Sequence, residues 1–168
     1  TGFEGYSSIE GEAKILAILK DGSQLGSAKA GNNIEILVDR TPFYGESGGQ
    51  VGDLGKAFNG NAQIELLDTV KPLPELIVHK AKIITGSIST GDSLKMLVDK
   101  TTRNDTALNH SATHLLHAAL KEVLGEHIKQ AGSLGAPDRL RFDYTHFSPL
   151  TEKERGKIES RVNEKIRE

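Results

Sequence analysis

From residue 11 to residue 100 the chain reads as short strands with turns between them, and at Thr101 the pattern changes to a period of about 3.6. The strand candidates are Ala13–Leu19, Gln24–Lys29, Asn33–Asp39, Ala62–Val70, Leu76–Ile84 and Ser93–Val98. Asp21-Gly22-Ser23, Gly31-Asn32-Asn33, Gly60-Asn61 and Thr90-Gly91-Asp92 separate them with residues suited to tight turns. Strands of this length and spacing predict a small barrel or sandwich over residues 1–100. Beyond Thr101 the pattern predicts a helix that is capped near Thr102–Asp105 and ended by Gly125. A strand follows at Leu140–Tyr144, and Thr151-x-x-Glu154 forms a capping box for a last helix with the stripe Ile158, Val162, Ile166. The expected class is α+β, with residues 1–100 and 101–168 as two subdomains.

The 168 residues carry a net charge of -2 and no cysteine. There is no overall cationic field to attract nucleic acid, so any RNA contact must come from a local patch. Arg139 and Arg141 with Lys121 and Lys129 are the scattered cations on offer, more typical of a solvated face. Disulfides and thiolate metal sites are excluded within this sequence. No run of about 18 apolar residues and no signal-peptide pattern occurs, so a membrane role is not expected and the cytosol is the default location. The start at Thr1 and the end at Glu168, inside a helical pattern, suggest a piece of a longer protein.

Two segments carry chemistry. Asn109-His110-Ser111-Ala112-Thr113-His114-Leu115-Leu116-His117 places His110, His114 and His117 within roughly 60° on the helix, opposite the arc Leu108, Ala112, Leu115, Leu116, Ala119, Val123. His110 and His114, at i and i+4, have the spacing of two imidazoles on one zinc ion. The metalloprotease version needs Glu after the first His, and Ser111 stands there. His117 is about 10 Å from His110 along the axis, too far to share a tetrahedral ion easily. Spacing alone leaves a metal pair and a helix of solvated histidines both open. The second segment, Thr41 to Gly55, holds five glycines in fifteen residues, which means a sharply turning backbone or a close approach to another surface. It contains no Walker or Gly-x-Gly-x-x-Gly phosphate loop. His79, His127 and His146 are isolated, with surface or packing roles expected.

Together, Thr41-Pro42-Phe43-Tyr44, Glu46-Ser47-Gly48-Gly49-Gln50-Val51-Gly52-Asp53, Arg103, Asn109 to Leu120, Val123-Leu124-Gly125, Gln130-Ala131-Gly132-Ser133, Leu140-Arg141-Phe142-Asp143 and Val162-Asn163 resemble the editing region of alanyl-tRNA synthetases, in the family's order. Free-standing editing proteins share the glycine-rich and His-x-x-x-His parts. The resemblance implies a β-barrel-like glycine-motif subdomain, then an α/β editing subdomain like that of threonyl-tRNA synthetase. It implies hydrolysis of tRNA(Ala) mischarged with serine or glycine, in a parent that attaches alanine to tRNA(Ala) with ATP. It implies zinc on His110 and His114, catalytic contributions from Gln130, Glu46, Ser47 and Gln50, and a substrate loop shaped by Thr41, Gly48 and Gly49. The family completes its zinc site with a later Cys-x-x-x-His segment that this sequence lacks. The chain alone, expected to be a monomer, should therefore bind zinc weakly and deacylate poorly. It also lacks the aminoacylation core. The alternatives are a fragment of a free-standing trans-editing deacylase and a non-catalytic RNA-contacting module.

Overall fold

The computed structural model describes residues 1–167. The chain divides into two compact units, one formed by Thr1–Ser47 and Val51–Arg103, the other by Gly48–Gln50 and the residues from Asn104 onward.

The first unit is a barrel. Strands β2 (Glu10–Lys20), β5 (Asn33–Val38), β7 (Gly55–Phe58), β8 (Ala62–Leu73), β9 (Leu76–Ser89) and β10 (Ser93–Val98) form a sheet in the order β10-β7-β8-β9-β5-β2. An antiparallel pairing of β10 with β2, from Ser93↔Lys14 to Leu97↔Glu10, closes it. Closure leaves the six strands without a free sheet edge. The alternation sends Ile34, Ile36 and Val38 of β5 and Leu94, Met96 and Val98 of β10 inward, where they pack with Ile15, Ile64, Leu66 and Ile83.

Three short strands escape the sequence pattern: β1 (Gly2–Phe3) and β6 (Arg40–Thr41), a parallel pair, and β7. Only Ala57 of β7 is buried, too few inward positions for an alternation to register. The expected run Gln24–Lys29 breaks at Gly26 into β3 (Ser23–Leu25), which pairs with β2, and β4 (Ser27–Lys29), which pairs with the far end of β9. That partner extends β9 to Ser89, past the expected end at Ile84. At Gly86 it takes a φ of 74°, and a Cβ there would overlap the carbonyl of Asn61.

Helix α1 (Lys100–Leu124) starts earlier than expected. Its cap is Asp99, whose carboxylate accepts the Thr102 N–H at 2.9 Å, a bond that holds the acid below its ordinary pKa. Gly125, at φ 113°, ends the helix as expected. Ala119 and Leu120 enter the second unit's core with Ile128 and Ile158, and Leu116, Val123, Phe142 and Tyr144 pack around them. Leu108, expected on the apolar arc, is 69% exposed. A hairpin of β11 (Gln130–Gly135) and β12 (Leu140–Tyr144) follows, then α2 (Glu152–Arg167). Strand β11 is absent from the sequence reading because Gln-Ala-Gly-Ser-Leu-Gly shows no alternation.

The capping box of α2 forms as expected: the Thr151 N–H donates to Glu154 Oε2 at 2.8 Å, and the Glu154 N–H donates to Thr151 Oγ1 at 3.3 Å. Thr151→Ala is expected to cost about 1 kcal/mol. Urea unfolding followed by helical circular dichroism reads this; an unchanged midpoint would mean that the cap contributes nothing.

Candidate functional site

The glycine-rich segment is gathered at its base by buried polar groups of the barrel. Thr41, fully buried, donates its hydroxyl to His79 Nε2 at 2.9 Å and accepts the Phe43 N–H at 3.1 Å. With its hydroxyl oxygen donating, the imidazole is left to donate from Nδ1 to the Ile36 carbonyl at 3.2 Å. Burial pushes the His79 pKa down to about 4, against a weaker upward pull from that carbonyl. His79 is thus a neutral core group, the packing role expected for an isolated histidine.

Asp53 closes the same segment from the other side. Its carboxylate accepts the Tyr44 N–H at 2.5 Å and pairs with the guanidinium of Arg103. Arg103 also donates to the carbonyls of Pro42 at 2.6 Å and Gly5 at 3.2 Å. Residues 44 and 53 are additionally joined through Asp53 N–H and Tyr44 C=O at 2.9 Å. Gly52 has no room for a side chain, since a Cβ would overlap the Thr69 carbonyl. Glu46 and Ser47 belong to this unit: the Glu46 N–H donates to Thr69 C=O at 2.8 Å, and the Ser47 carbonyl accepts the Tyr44 hydroxyl at 3.2 Å. Both of these side chains are exposed.

In the second unit the tip residues Gly48–Gln50 lie against β11. The Gly135 N–H donates to Gly49 C=O at 2.7 Å, and Gln50 forms an isolated bridge with Gly135. Gly49 has a φ of 81°, and a Cβ there would fall 2.5 Å from Ser133 Oγ. That hydroxyl accepts from Gln130 Nε2 at 3.0 Å. A Cβ on Gly135 would stand 4.0 Å from the His110 backbone nitrogen, and Asn109 Nδ2 donates to Ala136 C=O at 2.7 Å. Gly48, Gly49, Gln50, Gln130 and the first turn of the histidine stripe are thus linked through one strand. Ser133, at the centre of that link, was visible only as part of a segment.

His110 and His114 are both exposed, with their Nε2 atoms 3.1 Å apart. Two imidazoles on a tetrahedral zinc at 2.0–2.1 Å stand roughly 3.3 Å apart, so the pair has the span of two ligands. The ring centres are 4.8 Å apart and the planes inclined at 67°, so the nitrogens do not face each other end to end. Among the described residues no third His, Asp or Glu joins them in a metal-holding group. The residues present fit two ligands of a zinc site. His117 is set apart: it lies 5.1 Å, centre to centre, from Phe142, and its Nε2 is buried without a hydrogen-bond partner. The expected three-histidine stripe is therefore two exposed rings and one ring packed on a core aromatic.

A model of the family of class II (A) tRNA synthetases matches residues 1–102. The alanine–tRNA ligase of Desulforamulus reducens is 51% identical over 99% of the chain and 19% of the ligase. Those of Desulfosudis oleivorans and Anaeromyxobacter dehalogenans are each 48% identical, over 100% and 99% of the chain. The chain spans about a fifth of the length of these curated relatives. No helix among the described residues is long and apolar enough to cross a membrane. With its barrel covered by the family model and its whole length matched by relatives at about half identity, the chain belongs to the class II (A) tRNA synthetases.

Proposed function

We propose that the chain is part of the editing region of an alanine–tRNA ligase and serves to hydrolyse tRNA(Ala) mischarged with serine or glycine. One observation carries the reading: two exposed imidazole nitrogens 3.1 Å apart, on a helix whose sequence matches alanine–tRNA ligases. The chemical need is clear. Glycine is smaller than alanine and cannot be excluded by size, and serine adds only a hydroxyl, so a single pocket rejects neither strongly. A second, hydrolytic site restores accuracy.

In this reading His110 and His114 hold zinc with ligands from outside this chain, and a bound zinc supplies Lewis acidity to orient or polarise the aminoacyl ester. The chain's own residues shape what reaches it. Gly49, without a side chain, lets the loop tip lie against Ser133. Ser133 fixes the Gln130 amide, leaving that side chain's carbonyl oxygen to accept from a substrate amine or hydroxyl. Gln50 supplies a further polar contact from the loop tip, and the family resemblance assigns contributions to Glu46, Ser47 and Thr41 as well. The partner is tRNA(Ala) and the working location the cytoplasm.

The test grafts this sequence into the Desulforamulus reducens ligase in place of the matching segment. His110→Ala with His114→Ala should lower zinc content and slow hydrolysis of seryl-tRNA(Ala) by about a hundredfold or more, with alanylation kept. The isolated chain should bind zinc weakly. If the grafted ligase binds zinc yet leaves seryl-tRNA(Ala) intact, the reading is wrong. Full hydrolysis by the double variant, with RNA binding retained, would make the module a non-catalytic RNA contact.

A further inference from the structure

His127 and His146 form a second imidazole pair, and its geometry is of another kind. His127 Nε2 and His146 Nδ1 are 2.9 Å apart, the ring centres 5.1 Å, and the planes within 21° of each other. The two separations differ by ~2.2 Å, about twice the distance from an imidazole centre to its nitrogen, so the rings lie end to end with the nitrogens between them. A metal ion does not fit between nitrogens so placed, because lone pairs that face each other end to end would need about 4 Å between them to hold two zinc–nitrogen bonds. A proton does. The bond sits at the open end of the β11–β12 hairpin: His127 precedes Gln130, whose rung with Tyr144 begins the ladder, and His146 follows Tyr144. Beside it the Thr145 N–H donates to the Lys129 carbonyl at 3.1 Å. Phe147, 87% exposed, stacks on His127 with centres 4.6 Å apart.

We propose that His127 and His146 are a proton-operated latch, which holds the open end of the hairpin, and with it Gln130, until both rings are protonated. An end-to-end imidazole bond needs one N–H and one lone pair. The neutral pair has both. One added proton leaves the N–H···N bond in place and makes it charge-assisted, hence stronger. A second proton occupies the accepting lone pair, so two N–H groups and two positive charges face each other and the bond is lost.

Charged groups surround the pair. On the turn, Glu126 is paired with Lys121 of α1 at 3.5 Å, and Lys129 stands next to Gln130. On α2, the Glu154 carboxylate is held by Thr151 and interacts electrostatically with His146 and Lys157. Once both rings carry a proton, the two imidazolium charges oppose each other across the contact. The latch does not depend on the hydrolytic reading, although it acts on a residue that the reading uses.

The isolated chain suffices for the test. Amide hydrogen exchange is followed by NMR from about pH 7.5 to about pH 4.5, the span in which imidazoles charge, and expressed as protection relative to the unfolded chain. Protection at Thr145 should fall about tenfold or more on acidification while Leu120, in the core of the same unit, keeps its own. His146→Asn, whose Oδ1 accepts in both charge states of His127, should keep Thr145 protected throughout. A nitrogen–nitrogen coupling across the bond should be present at neutral pH and vanish in acid; this needs no variant. Three results would each overturn the latch: pH-independent protection at Thr145, simultaneous loss at Leu120, or no such coupling at neutral pH.

Discussion

Asp53→Ala is expected to lower the stability of the barrel unit by about 3–5 kcal/mol, the range for removing one partner of a buried ion pair. The side chains of Asp53 and Arg103 are 6% and 18% exposed, so water cannot replace what is lost. The substitution strands the guanidinium beside the carbonyls of Pro42 and Gly5, and it leaves the Tyr44 N–H without its acceptor. Arg103→Lys should fall between wild type and Arg103→Ala, because an ammonium keeps the charge but not the planar fork that reaches several acceptors at once. The double variant Asp53→Ala with Arg103→Ala should cost less than the two single effects added together. Urea midpoints at unchanged slope read all four proteins. A single-variant loss under about 1 kcal/mol would mean that the pair does not hold the base of the glycine-rich segment.

The second large effect is on pH. His79 is neutral in the fold with its pKa near 4, whereas the unfolded chain presents an ordinary imidazole near 6.5. Above pH 6.5 neither state binds a proton there, and the fold has its full stability. As pH falls from 6.5 towards 4, the unfolded state takes up a proton that the folded state refuses, so stability declines, by about 3 kcal/mol in total. Below about 4 both states are protonated and this contribution stops changing. His79→Gln, which keeps a donor and an acceptor, should flatten the slope across this window. Parallel curves for wild type and variant between pH 6.5 and 5 would show that His79 charges without cost, contrary to its burial.

The residues that a sequence shows most clearly are those that repeat. Asn33–Val38 and Ser93–Val98 carry an apolar residue at every second position, and their strands appear where that repeat lies. Thr151 and Glu154 carry a local bond pattern three residues apart, and the helix starts there. Strand β7 is visible only through its partners, because four residues with one inward side chain have no period. Strand β11 is likewise held by β12 on one side and by Gly49 and Gln50 on the other. The i and i+4 spacing of His110 and His114 was legible, and the rings meet. His117 shares their side of the helix but was set apart by its distance along the axis, and its ring packs against Phe142, from a strand 25 positions on.

By itself the sequence determined the class of fold, the change from strands to helices near residue 100, the glycine that ends the first helix and the capping box that starts the last. These rest on interactions within a few residues, where spacing and side-chain type are enough. Tertiary structure alone decided the closure of the barrel through β10 and β2, the neutral state of His79, the pairing of Asp53 with Arg103, and the end-to-end contact of His127 with His146. Each of these joins positions far apart in the chain, and its energy depends on burial and on the direction of a lone pair, which no local pattern records.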